Sequence, residues 1–503
     1  MRPLIALALL VGASPTALHA QGADAPMSPA FMRAMAPMVP REAATDRVVT
    51  TRHVATIGGR PIAYRASVTE LPMPGADQAP VAVAVSYAYV AEGNATANAR
   101  RPVLFVFNGG PGASSSPLHL HALGPRRLVG KGAAAQWVDN RYSLLDIADL
   151  VFIDPVGTGA SMPIRDRDAG GYWGVGGDAR GVNAVVAQWL RANGRTGSPV
   201  ILVGESYGTA RALAMLNEAM KAHQPLPDAV VLLSLAIGDA DGPVIADTVT
   251  LPTLAAVAWY HQAIDRGGRS VEQHYGEALS FAQTEYASAL LQGPALAPAV
   301  RRRVAERMAA LIGIPAATLE ARGLRIEKQD FMLGLLAGRG LRTGQLDGRV
   351  TRAIAESNQR PPFDDPSMSL GSDGTQAIES YLKDELGYWV PSPYRSLNLG
   401  INFKWSWDKE YGGSYRAMSF APYLKAAMET KPSLRVFTGG GYYDITTPVH
   451  AGQFALDQAG VAGPRLTSHR YAAGHSVFED EDGLAALSHD LHDFVAGIAA
   501  DRK

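Results

Sequence analysis

The feature that most constrains this chain lies between residues 199 and 216. An apolar run, Pro199-Val200-Ile201-Leu202-Val203, reads as a buried strand. It passes through Gly204-Glu205-Ser206-Tyr207-Gly208 into Ala210-Arg211-Ala212-Leu213-Ala214-Met215-Leu216, which reads as a helix. A strand that becomes a helix within so few residues brings its flanking positions almost into contact, and those positions call for glycine. The tight turn holds the central serine hydroxyl clear of the sheet. The helix start directs N–H groups at developing negative charge. Ser206 is the candidate nucleophile and Tyr207, next in the chain, a candidate oxyanion donor. The plain alternative is an ordinary strand-to-helix turn.

Further apolar runs surround this one. Val103–Phe107, Leu150–Ile153, Ala229–Ile237 and Leu434–Thr438 suit strands buried on both faces of a parallel sheet. Before them, residues 46–98 read as antiparallel strands, with a hairpin turn at Gly58-Gly59 and a strand over Val81–Val90. With right-handed crossovers this is a doubly wound, mostly parallel α/β sheet, and the G-x-S-x-G turn makes it an α/β-hydrolase fold. From 245 to 400 the pattern turns helical, over Leu254–Ile264, Val271–Leu291 and Ala299–Ile312. That stretch is expected to be an inserted, mainly helical cap, with a loop at the proline-rich residues 359–366. The expected division is a signal peptide over 1–20, a loose segment over 21–45, the first part of the core over 46–244, the cap over 245–400, and the second part of the core over 401–503.

The signal peptide is read from Arg2, the short apolar segment Leu4–Val11 and small residues up to Ala20. No other segment is long and apolar enough to span a membrane. Of 503 residues none is cysteine, which excludes a thiol nucleophile and thiolate metal sites. An exported, cysteine-free chain of this size points to a bacterial periplasmic or secreted protein. Net charge is −1 with no basic stripe, so nucleic acid is not an expected partner. Asn94-Ala95-Thr96 matches a glycosylation sequon and reads as a surface loop in that setting. No cofactor is expected.

A serine nucleophile needs a base, and the base needs an orienting acid. In this fold the chain order is Ser, acid, His. Asp444 lies just past the last apolar strand, after Gly439-Gly440-Gly441-Tyr442-Tyr443, where the acid belongs. His475, in Ala472-Ala473-Gly474-His475-Ser476, lies in a small-residue loop before a terminal helix at about 483–498. His469 lies in a segment that reads as a strand, and His450 stands too near Asp444. The second oxyanion N–H is expected from the loop after Phe107, Asn108-Gly109-Gly110-Pro111-Gly112.

The pairing of Asn108-Gly109-Gly110-Pro111-Gly112-Ala113-Ser114-Ser115 with Gly204-Glu205-Ser206-Tyr207-Gly208 resembles the serine carboxypeptidase family. The likeness extends through Leu123-Gly124-Pro125, Tyr142–Leu145 and Phe152–Ser161, and resumes at 441–448 and at Gly474-His475. It implies Ser206, Asp444 and His475 as a triad, with Gly110 and Tyr207 as oxyanion donors. It implies that Asn108, Gly109 and Glu205 bind the free C-terminal carboxylate of a peptide substrate. Glu205 beside that carboxylate must share a proton with it, which accounts for the family's preference for acidic pH. Two positions depart from the family: Ala113 stands where a disulfide cysteine is usual, and Ala122 where eukaryotic members carry a second carboxylate-binding Glu. The expected activity is that of a serine carboxypeptidase. An esterase, acyltransferase or endopeptidase using the same triad, or a non-catalytic binding protein, are the alternatives.

Lesser signals read as structural. His119 and His121 share a face without a third ligand nearby. Asp154 precedes the serine, against the triad order. Trp405 and Trp407 read as packing residues, and Tyr172-Trp173 as a possible border of the site.

Overall fold

The computed structural model describes residues 29–93, 100–130, 134–238, 240, 242–356, 364–368 and 372–500. The signal peptide over 1–20, the sequon at Asn94 and most of the proline-rich loop lie outside the described residues.

Nine strands of one sheet organise the chain: β1 (Val48–Ile57), β2 (Arg60–Pro74), β3 (Pro80–Ala91), β4 (Val103–Phe107), β5 (Asp149–Asp154), β6 (Val200–Glu205), β7 (Ala229–Leu233), β8 (Arg435–Gly441) and β9 (Leu466–Tyr471). Their spatial order is β1-β2-β3-β5-β4-β6-β7-β8-β9, and the two-residue strand Met162–Pro163 pairs with β3. The first three and the β3–β5 pair are antiparallel, and every pairing from β5 to β9 is parallel. This is the α/β-hydrolase fold.

The apolar runs are buried on both faces because side chains alternate across the sheet. Phe105, Phe107, Leu202 and Leu232 pack on one face against helices α2 (Val175–Ala192) and α3 (Tyr207–Lys221). Leu104, Val106, Val203 and Val231 pack on the other, under the terminal helix at Glu481–Ala500.

Several expected boundaries shift for local reasons. The run Ala229–Ile237 leaves the sheet at Leu233, because Ser234 adopts φ 52° and breaks the ladder. The last parallel pairing runs on through Gly439-Gly440-Gly441 rather than stopping at Thr438. A Cβ on Gly439 would approach Leu233 and Tyr471 to 3.1 Å, so the neighbours are packed for glycine there. The first cap helix begins at Ile245 and carries Pro252 inside it, where proline argues for a later start. A π-turn at Ala282–Tyr286 interrupts the expected helix over 271–291.

The cap region has its own core, from Leu251 to Leu336, closed by Tyr442, Tyr443 and Ile445 of the sheet's loop. The stretch expected to be the cap does not pack as one body. Ile378, Tyr381, Leu382, Tyr388 and Tyr394 pack into the core beneath the sheet. A short antiparallel hairpin, Leu341–Thr343 with Thr351–Ala353, also lies within the expected cap. The N-terminal segment, expected to be loose, forms helix α1 (Pro29–Met35), whose Phe31 and Ala34 pack on Leu399.

Candidate active site

Ser206 ends β6 and opens α3 with φ 58° and ψ −130°, a sparsely populated conformation that costs about 1–3 kcal/mol and persists only where surroundings enforce it. Here they do. Ser206 N–H donates to Leu233 O of β7 at 2.9 Å, and Ser206 O accepts from Thr209 N–H at 2.8 Å and from the Thr209 hydroxyl at 2.6 Å. A Cβ on Gly204 would stand 2.2 Å from Gly208 O, so glycine is obligatory on this side of the turn.

Asp444 follows β8 and is fully buried. Its Oδ1 accepts from Thr446 N–H at 2.8 Å and Thr447 N–H at 2.9 Å, and its Oδ2 from the Thr447 hydroxyl. His475 Nδ1 faces Asp444 Oδ2 at 2.8 Å. Burial alone would raise the Asp444 carboxyl, but the His475 charge and these donors hold it below the usual range. Burial alone would lower His475; the Asp444 charge and hydrogen bond, then Glu205 and Glu479, carry it up to about 9. With Nδ1 engaged, Nε2 is the ring nitrogen without a hydrogen bond among the described residues. Among the described residues no hydrogen bond joins Ser206 Oγ to His475, a link that commonly tightens only in the substrate complex. The two segments do meet next door: the Ser476 hydroxyl donates to Glu205 Oε1 at 2.8 Å.

The glycine-rich loop after β4 lies directly on the elbow. A Cβ on Gly109 would come within 2.4 Å of Tyr207 N, and Gly110 has φ 101°. Among the described residues, neither Gly110 N–H nor Tyr207 N–H donates within the protein. Two uncommitted donors beside a half-buried serine are what an oxyanion requires. Asn108 Oδ1 accepts from Leu118 N–H at 3.1 Å, which fixes its amide so that Nδ2 donates to Glu205 Oε2. Glu205 is buried, and desolvation raises its carboxyl despite the opposing His475 charge and the two hydrogen bonds.

Sequence reasoning missed several supports. Arg211, buried on α3, donates to Asn108 O and, through Nε at 2.6 Å, to Asp178. The only sequence signal was a charged residue on an apolar helix face. His475 N–H donates to Leu346 O at 2.7 Å, so the Leu341–Ala353 hairpin backs the histidine loop. On it Arg349 bonds Asp347 at 2.7 Å, Asp480 at 3.0 Å and Ala472 O at 2.9 Å. Glu479, one turn beyond His475, keeps solvent access, while desolvation by the chain around it, then Asp347 and Glu205, push its carboxyl upward.

His119 is buried, its Nε2 at 2.7 Å from the Tyr89 hydroxyl, and burial first, then His121, lower it to about 3. Asp154 accepts from Ser115 N–H at 2.9 Å, Tyr87 OH at 2.9 Å and Ala160 N–H at 3.1 Å, stitching the oxyanion loop to the loop after β5. Trp405 and Trp407 pack edge-on against Tyr207. Ala122 is fully buried. His469 pairs with Asp490 at 3.0 Å on β9, and His450 lies in the helix after Pro448.

Residues 84–296 match the serine carboxypeptidase family. The matched stretch contains the Asn108 loop and the Ser206 elbow and ends before Asp444 and His475. No curated protein matches. Among solved structures, the peroxisomal α/β-hydrolase Lpx1 of Saccharomyces cerevisiae aligns at 11% identity over 87% of this chain and 90% of its own, with a TM-score of 0.37. The esterase RhEst1 of Rhodococcus sp. aligns at 14% over 85% and 99%, TM-score 0.36. A loop variant of the haloalkane dehalogenase DbeA of Bradyrhizobium elkanii aligns at 14% over 90% and 99%, TM-score 0.31. The fold assignment stands on the strand order and the elbow.

Proposed function

From a family match that spans the elbow and the oxyanion loop, we propose that this protein is a serine carboxypeptidase, exported by its N-terminal signal peptide. His475 takes the Ser206 proton as the serine attacks the last peptide carbonyl. Asp444 holds the ring and stabilises the imidazolium. The N–H groups of Gly110 and Tyr207 receive the oxyanion, His475 returns the proton to the leaving amine, and water releases the acyl-enzyme by the same steps.

The observation that carries this reading is Glu205. A buried carboxyl beside the nucleophile, held by Asn108 of the oxyanion loop and Ser476 of the histidine loop, is an unusual expense for a general esterase. Its raised pKa favours a protonated carboxyl where a C-terminal carboxylate would lie, and the two can share that proton. Asn108 and Gly109 complete the recognition set. Ala122 offers no second acid, so selectivity for a free C-terminus rests on Glu205.

A fluorophosphonate probe tests the catalytic part. The wild type should label, and Ser206→Ala should not. Absent labelling of the wild type, or undiminished labelling of Ser206→Ala, would overturn it.

A further inference from the structure

Behind the oxyanion loop runs a segment more than 280 residues further along the chain, residues 394–402. Ser114 N–H donates to Ser396 O at 3.0 Å, and Asn398 N–H donates to Gly112 O at 2.7 Å. Asn402 Nδ2 donates to Pro111 O at 3.1 Å. The approach is close enough that a Cβ on Gly112 would meet Asn398 O at 2.3 Å.

The segment is anchored on its other side. Arg395 and Gly159 exchange backbone hydrogen bonds at 3.0 and 2.8 Å, and Asn398 Nδ2 donates to Gly157 O at 2.9 Å. The Arg395 guanidinium donates to Arg33 O and Pro37 O, both at 2.8 Å, so the N-terminal segment straps it down. Asn398 and Asn402 are 1% and 2% exposed.

The physical need is plain. A run of glycines has wide conformational freedom, and an oxyanion donor works only if it is held before the charge develops. Pro111 has no N–H, so its carbonyl is its one backbone hydrogen-bonding group. That carbonyl belongs to the residue next after Gly110, and Asn402 binds it.

We infer that residues 394–402 form a strut for the oxyanion loop, and that Asn402 is a positioning residue that fixes the Gly110 N–H through the Pro111 carbonyl. The inference rests on Gly110 being an oxyanion donor, as proposed above. Asn402→Ala removes the donor. Asn402→Asp keeps the shape but turns a carboxylate oxygen against Pro111 O. Asn183→Ala is the control, since it deletes an amide-to-carbonyl bond of 3.0 Å between α2 and Met215 O of α3 that does not involve the oxyanion loop.

The assays are steady-state hydrolysis of p-nitrophenyl acetate and inhibition by phenylboronic acid, whose tetrahedral adduct places an oxygen in the hole. Thermal melting is measured alongside. Both Asn402 variants should lose about 10- to 100-fold in kcat with KM little changed, as expected for a small displacement of a catalytic donor. Boronate affinity should weaken in proportion, with Asp worse than Ala. Asn183→Ala should lower Tm without either effect. Unchanged kcat in folded Asn402 variants, or losses no greater than those of Asn183→Ala, would overturn the strut while leaving the reading of the site intact. A wild type that neither turns over the ester nor binds the boronate would remove that reading and this inference together.

Discussion

Replacing Glu205 with glutamine separates carboxylate recognition from general hydrolysis. In the wild type Asn108 Nδ2 and the Ser476 hydroxyl both donate to Glu205. Asn108 cannot turn over, because its Oδ1 already accepts from Leu118 N–H. The oxygen of the introduced amide must therefore face Asn108, and its NH2 must face Ser476, whose hydroxyl can rotate to accept. The side chain fits, and one N–H stays available to the substrate. What is lost is the shared proton. A hydrogen bond to a charged partner is worth about 1.5–3 kcal/mol against about 0.5–1.5 for a neutral one, so the mid-range difference is about 1.2 kcal/mol, on the order of tenfold. The assay is kcat/KM on a blocked dipeptide with a free C-terminus and on its C-terminal amide, across acidic to neutral pH. Glu205→Gln should lower the free-acid value about tenfold at acidic pH and flatten its pH dependence, while the amide changes less than about twofold. An equal loss on both substrates would mean that Glu205 only supports the fold, and no loss on either would refute carboxylate recognition.

Other perturbations probe the remaining parts. Gly109→Ala places a Cβ against Tyr207 N, Glu205 O and Gly208 N, all backbone; the loop must back away from the elbow, and kcat should fall about 10²–10³-fold, read from esterase kinetics with Tm as control. Glu479→Gln removes a negative charge that raises His475, so the acid limb of the kcat/KM profile should move to lower pH; an unmoved limb would place Glu479 outside the site's electrostatics. The Asp444–His475 pair should leave a signature in stability. The lowered Asp444 pKa stabilises the fold above the ordinary value of 3.8, and that contribution is lost as pH falls through the lower folded value. The raised His475 pKa stabilises fully below 6.5, and this is lost as pH rises through about 9. The Tm difference between wild type and Asp444→Asn should therefore be largest between those ordinary values and shrink as pH rises through about 9.

Most of the sheet was readable from the chain because doubly buried strands are uniformly apolar and the elbow has a fixed glycine spacing. Asp444 and His475 could be named because chain order and loop placement leave few competitors. The structure brings them to 2.8 Å and sets Glu205 between the oxyanion and histidine loops. What could not be read depends on pairings across the chain that carry no local pattern. Asp347 and Arg349 back the histidine loop from a hairpin more than 120 residues before it, and Asn402 reaches Pro111 from far downstream. Ser234 ended its strand early through a positive φ that its apolar neighbours gave no sign of. Residues 372–384 fall within the expected cap, yet their helix carries Ile378, Tyr381 and Leu382 into the core beneath the sheet, a placement that no local pattern in the chain announces.

Removal of single residues from the free C-terminus of peptides by the triad is tested most directly by mass spectrometry of unmodified peptides digested by the wild type. A ladder of C-terminally shortened products is expected, absent from Ser206→Ala and absent when the C-terminus is amidated. Internal or N-terminal cleavage products, or intact peptides in the presence of ester turnover, would contradict it.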